Sequence, residues 1–192
     1  MGDYPNVSYI KGNCLEPETF KDVLQDVDGC IHTVGALVEN TKKPQASYQA
    51  MNRDTCVNMA KGLNEYGDKR NFVMISSAKA PPFLPAYLTT KIEAENFIID
   101  ECENLKPVII RPGFIWNKEH RGWSIPLRYG CEALYWINEN IGKKTPLNSA
   151  TDFLFPAKPT KLETVGHFAI EGVMGNIDDK IVTPEMMIEY EK

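Results

Sequence analysis

Three apolar runs too short to be helices recur along this chain: residues 30–34 (CIHTV), 72–75 (FVMI) and 108–113 (VIIRPG), each followed by a stretch long enough for a helix. Runs of four to six apolar residues read as strands buried on both faces. Strands joined through helices pair in parallel, because a parallel neighbour can only be reached by a long crossover. The alternation therefore predicts an α/β protein built on a parallel sheet with flanking helices. Residues 7–10 alternate apolar and polar and run into Lys11-Gly12-Asn13, which predicts a further strand and turn. Helices are predicted from Glu16 to Leu24, where Pro17 suits an opening turn, and over residues 48–66. Others follow from Ala86 through Ile99, near residues 125–140 and over Leu162–Val173, with a short strand near residues 180–183.

The 192 residues suffice for one compact domain with a core. With 26 acidic against 21 basic residues and no basic block, nothing neutralises a nucleic-acid backbone, so nucleic acid is not an expected partner. The five cysteines, Cys14, Cys30, Cys56, Cys102 and Cys131, form no Cys-x-x-Cys pair, so reduced thiols are expected and no metal site. No apolar run approaches a transmembrane span, which limits any expected membrane contact to the periphery. The opening MGDYPNVSYI resembles neither a signal peptide nor a transit sequence.

Chemistry concentrates between Asn71 and Lys91. The strand at 72–75 ends in two hydroxyls, Ser76 and Ser77, and a proline-rich loop (Pro81, Pro82, Pro85) leads into a helix carrying Tyr87 and Lys91 four residues apart. At that spacing the two side chains share a helix face. An ammonium beside a phenol favours phenolate and lowers its pKa. Tyr87 is thus a candidate proton donor, with Ser77 a clamp for the same substrate oxygen. A Tyr-x-x-x-Lys pair recurs by chance, so the weight lies in its placement between two buried strands, at the sheet end where parallel sheets bind ligands. His32, inside an apolar run, is expected to be a packed or hydrogen-bonded histidine. Asn52 and Asn58 lie within a predicted helix, where a lone asparagine is usually solvent-exposed. Past Gly113 the chain turns aromatic (Phe114, Trp116, Trp123, Tyr129, Tyr135, Trp136, Phe153, Phe155), reading as the core of a small cap or the wall of a lipid or quinone-like pocket.

The segments CIHTVGALVEN, MNRDTCV, SAKAPPFLPAYLTTKIEAE and VIIRPGF resemble the extended or atypical short-chain dehydrogenase/reductases, the epimerase/dehydratase-like branch. Within it they are similar to the mitochondrial members linked to ubiquinone biosynthesis and to the Rossmann-type accessory subunit of respiratory complex I. The resemblance implies a Rossmann-like layer over residues 1–113 and a cap or substrate region over 114–192. It implies a catalytic trio of Ser77, Tyr87 and Lys91. It also implies a nicotinamide cofactor, NAD or with some preference NADP, near Asn13 and Cys14, along Val34, Gly35 and Ala36, and bordered by Pro112, Gly113 and Phe114. Asn52 would support Lys91, which would itself bind the ribose and lower the phenol pKa.

One departure stands out. The glycine-rich turn that brings a helix N-terminus to the pyrophosphate does not occur in these residues, and its strand-helix-strand unit is missing with it. Either a preceding segment or another chain completes the sheet, or the 7–10 strand pairs with CIHTV and no cofactor binds. Three functions are accordingly expected: an NAD(P)-binding auxiliary protein on the matrix side of the mitochondrial inner membrane, beside quinone metabolism or a large respiratory complex; an active reductase or epimerase acting on a small carbonyl compound; or a structural subunit without nucleotide.

Overall fold

A computed structural model describes residues 4–145 and 154–191. Its centre is a four-stranded, all-parallel sheet of β1 (Gly29–His32), β2 (Arg70–Ile75), β3 (Leu105–Ile110) and a late strand, β6 (Ile181–Val182), in the order β1-β2-β3-β6. The register aligns Ile31 with Val73, Val73 with Val108, and Ile109 with Ile181. Phe72, Val73 and Met74 are fully buried, as expected of a strand covered on both faces. Each large apolar side chain so withdrawn from water contributes about 1.5–3 kcal/mol.

Alternate residues of the strands feed two cores. Phe72, Met74 and Ile109 pack with Cys56, Ala60 and Leu63 of α2 (Thr55–Asn64) and with Ala94 and Ile98 of α3 (Pro85–Glu101). On the opposite face Val73, Val108 and Ile110 meet Val165 and Ala169 of α5 (Leu162–Val173), together with Val182 and Met187. The chain past Gly113 therefore returns to the sheet: α5 covers one face, β6 adds the fourth strand, and α6 (Pro184–Tyr190) follows it. Beyond the sheet's C-terminal ends, β4 (Ile115–Trp116) pairs in parallel with β5 (Thr160–Lys161), and α4 (Ser124–Asn140) completes a small cap. Phe153 lies outside the described residues.

Residues 7–10, expected as a strand, form none. Val7 and Ile10 are 49 % and 62 % exposed, and alternation alone cannot hold a strand that has no neighbour to complete its hydrogen bonds. The outer edge of β1 has no pairing strand among the described residues, so the expected inward shift of 7–10 onto CIHTV does not occur. The helix expected from Glu16 to Leu24 divides into a 3-10 turn, Pro17–Thr19, and a short α1, Lys21–Leu24. The long helix expected over 48–66 begins as a π-helical segment, Gln49–Asp54, before α2.

Candidate active site

Strand ends, one helix and one clamped turn converge at the C-terminal edge of the sheet. β2 stays zipped to β3 past its end: the Ser76 amide donates to the Ile110 carbonyl at 2.7 Å and the Ala78 amide to the Pro112 carbonyl at 2.9 Å. Ser76 and Ser77 are thereby held at a fixed height and, as neighbours in an extended strand, point apart. Ser76 turns inward and donates to Glu95; Ser77 turns toward the mouth, its hydroxyl donating to the Lys79 carbonyl at 2.8 Å.

Helix α3 opens with Pro85 in its first turn, where the missing amide costs nothing. One turn in, Tyr87 lies half-buried with its ring edge-on to Tyr48, centroids 6.1 Å apart. The Tyr48 hydroxyl donates to the Leu37 carbonyl at 2.9 Å, so this ring supports both the Tyr87 phenol and the loop after β1. A turn further, Lys91 is 5 % exposed, with its Nζ donating to the Ile75 carbonyl at 3.0 Å and lying 5.8 Å from the Tyr87 ring centroid. Ser77, Tyr87 and Lys91 are thus gathered around one mouth.

The expected lowering of the phenol pKa is not what this arrangement gives. Burial pushes Tyr87 up, the Ser77 hydroxyl works against that, and Tyr48 adds to it. Lys91, in turn, is pushed down by burial, with Cys56 and Glu95 opposing. The physical reason is burial of the phenol, while Nζ donates to the Ile75 carbonyl and lies 5.8 Å from the ring centroid. The phenol is therefore held protonated, the form in which it can donate to a carbonyl oxygen.

Asn52, expected to be exposed if structural, is fully buried. It clamps the turn after β1 with a reciprocal pair: the Ala36 amide donates to its Oδ1 at 2.7 Å, and its Nδ2 donates to the Ala36 carbonyl at 3.1 Å. Gly35 shows why this turn needs a glycine, since a Cβ there would stand 3.0 Å from Asn52 Oδ1 and 3.4 Å from Lys91 Nζ. The Val34-Gly35-Ala36 turn, Asn52 and Lys91 are therefore one packed unit. Asn52 bonds to Ala36, not to Lys91.

The other expected residues lie around this unit. Asn13 and Cys14 form a separate turn docked on α2: Asn58 Nδ2 donates to the Cys14 carbonyl at 3.0 Å, and Asn13 caps its own turn by accepting from the Leu15 amide at 3.1 Å. Gly113 is approached by the chain itself, since a Cβ would fall 2.1 Å from the Lys158 carbonyl oxygen. Phe114 accepts from the Thr160 amide at 3.0 Å, so Pro112, Gly113 and Phe114 join the sheet to the cap strands. His32 is packed as expected, at 4 % exposure, but among the described residues neither ring nitrogen has a hydrogen-bond partner. Burial, reinforced by Lys91, lowers its pKa to about 4.

Sequence reasoning missed the support under the trio. Glu95, one turn beyond Lys91 on α3 and fully buried, accepts from Ser76 at the end of β2 and from Nε and Nη2 of Arg111 just past β3. One carboxylate thus ties two strand ends to the helix that carries Tyr87 and Lys91. The available signal was the four-residue step from Lys91 to Glu95, which continues the helix face begun by Tyr87. Among the described residues no group of three His, Cys, Asp or Glu could hold a metal ion.

With this geometry in view, the class is plain: the chain has a Rossmann-like α/β fold, shared with solved structures of NAD-bound and dehydrogenase enzymes. They include the Bordetella bronchiseptica enzyme WbmG, solved with NAD and UDP (TM-score 0.60, 12 % identity, 97 % of this chain and 64 % of that one). Glucuronic acid dehydrogenase from Chromohalobacter salexigens is another (TM-score 0.59, 14 % identity, 95 % and 62 %). This chain spans a little over six-tenths of the length of each of these two. More particularly, the model of an NAD-binding family described as male sterility protein matches residues 79–150. MIOREX complex component 2 of Saccharomyces cerevisiae is 22 % identical over 200 residues, covering 81 % of this chain and 72 % of that protein.

Proposed function

We propose that this chain is the catalytic-side portion of an NAD(P)-binding, short-chain-dehydrogenase-like protein with an auxiliary mitochondrial role, beside quinone metabolism or a respiratory-chain assembly. The observation that carries the reading is the convergence of Ser77, Tyr87 and Lys91 on the Asn52-clamped Gly35-Ala36 turn, at the C-terminal ends of parallel strands. NAD-bound neighbours support the cofactor class, and the distant MIOREX relative supports the mitochondrial placement.

The residues present fit the nicotinamide-ribose half of such a cofactor. Lys91 carries three donors and spends one on Ile75, and the side of Gly35 toward it has no Cβ. The pyrophosphate half has no glycine-rich turn in these residues. We read the open edge of β1, where Ile31 is 39 % exposed, as the docking line for the strand-helix-strand unit that carries that turn, whether from the same protein or a second chain.

When bound, the cofactor supplies or accepts hydride. In the reducing direction Tyr87 would donate its proton to the substrate oxygen that Ser77 orients, and in the oxidising direction it would take that proton back, with Lys91 as the residue that would hold the ribose. Fluorescence titration of the full-length protein with NADPH and NADH tests the cofactor reading; no saturable binding by the folded protein overturns it. The second reading, an active reductase or epimerase, draws on the protonated phenol beside Ser77. Under it Tyr87→Phe removes turnover and leaves cofactor binding intact; unchanged turnover rejects it.

A further inference from the structure

Helix α4 presents the wrong side to water. An amphipathic surface helix buries its apolar stripe and shows its charges. Between Ser124 and Ile141 no exposed position carries a charge, and the charged residues Arg128, Glu132 and Glu139 are all half-buried. Arg128 stacks on Trp116 at 3.9 Å and pairs with Glu132 at 2.8 Å on the cap side. The outward residues include Leu127, Tyr129, Leu134, Trp136, Ile137 and Ile141, each 38 % to 60 % exposed. At 100° per residue they share one half of the helix cylinder, about 26 Å long. Asn140, the one polar amide there, already donates to the Trp136 carbonyl at 2.9 Å.

The ends of the helix say what this face suits. Lys118 and Arg121 precede it and Lys143 and Lys144 follow it, so residues 117–145 hold five basic against three acidic side chains while the rest of the chain carries a net charge of −7. Trp123 and Trp136 stand near its two ends, 61 % and 60 % exposed. A protein partner would be expected to meet hydrogen-bonding groups mixed among the apolar ones. An uncharged half-cylinder with tryptophans and lysines at its margins instead matches a helix lying in a lipid interface. No helix among the described residues is long and apolar enough to cross a membrane, so the contact runs along the surface.

We propose that the outward half of α4 lies in the headgroup region of an anionic lipid bilayer, with Lys144 and the basic residues at the other end on the phosphates. The acidic remainder of the molecule then faces away from the surface.

Flotation of the purified full-length protein with phosphatidylcholine vesicles, with and without phosphatidylglycerol, tests this. The protein is expected to float with the phosphatidylglycerol vesicles and its tryptophan emission to shift to the blue. Leu134→Glu with Ile137→Glu is expected to lower binding at least tenfold at an unchanged melting temperature. Lys144→Ala should lower it about fivefold on the anionic vesicles alone. Absence of flotation, or equal flotation of the Leu134→Glu, Ile137→Glu protein, overturns the proposal. So does a stable dimer that the same pair of substitutions dissociates, since a second copy would then cover the face.

Discussion

His32→Leu isolates the cost of a buried histidine whose two ring nitrogens go unanswered. Burial at 4 % exposure and the nearby Lys91 hold the folded-state pKa at about 4, against 6.5 for the unfolded chain. Between those values the unfolded state binds the extra proton, so stability is fully present above pH 6.5 and falls as the pH drops toward 4. The full shift corresponds to about 3 kcal/mol, of which about 2 kcal/mol is lost by pH ~5. Leucine fills a similar space and removes both orphaned nitrogens, so the variant should be as stable as the wild type near pH ~7, or more so. Urea unfolding of both proteins from pH ~7 to ~5 reads the difference, since carboxylates shared by the two cancel. The expected result is a gap that widens in the variant's favour by about 1 M urea in midpoint at the acid end. Parallel pH profiles would refute the reasoning, and so would a variant several kcal/mol weaker at neutral pH, which would mean that the imidazole has a partner.

Arg111→Ala leaves the fully buried Glu95 carboxylate without its cation and should cost about 3 kcal/mol, at the low end for a broken buried pair because Arg111 keeps 34 % of its side chain in water; thermal unfolding measures it. Gly113→Ala must displace the Lys158 carbonyl, 2.1 Å from the new Cβ, and should destabilise by about 2–3 kcal/mol in urea, whereas Gly130→Ala, inside α4 with open surroundings, should stabilise by about 0.5–1 kcal/mol. Tyr87→Phe should lower any carbonyl-reducing turnover by about 10²–10⁴-fold without changing NADPH affinity. Asn52→Ala frees an amide and a carbonyl of Ala36, and should weaken cofactor binding as well as costing about 1–3 kcal/mol of stability.

What was legible in the residues was what depends on short spacing. Leu162–Val173 is a helix over the expected span because its apolar period is local, and β2 and β3 lie where apolar runs end in Ser76 and before Pro112. Tyr87 and Lys91 share a face of α3 for the same reason. Residues 7–10 carry a strand pattern yet form no strand, because a strand is defined by its neighbour and the pattern says nothing about one. The two-residue strands β4 and β5 are too short to leave a period, and the π-helical start of the Asn52 helix differs from an α-helix only in hydrogen-bond partner. The tie between Ser76, Glu95 and Arg111 spans separations of 19 and 16 residues, which no local rule connects. His32 was readable as buried, but its unpartnered nitrogens depend on the surrounding atoms.

The shared carboxylate of Glu95 limits how this molecule can breathe. Two strand termini and a helix are pinned to one point, so the platform beneath the phenol cannot splay to admit a ligand. Adaptation to a ligand then falls to the loops that follow β1 and β2, where Val38 and Phe83 stand 81 % and 79 % exposed.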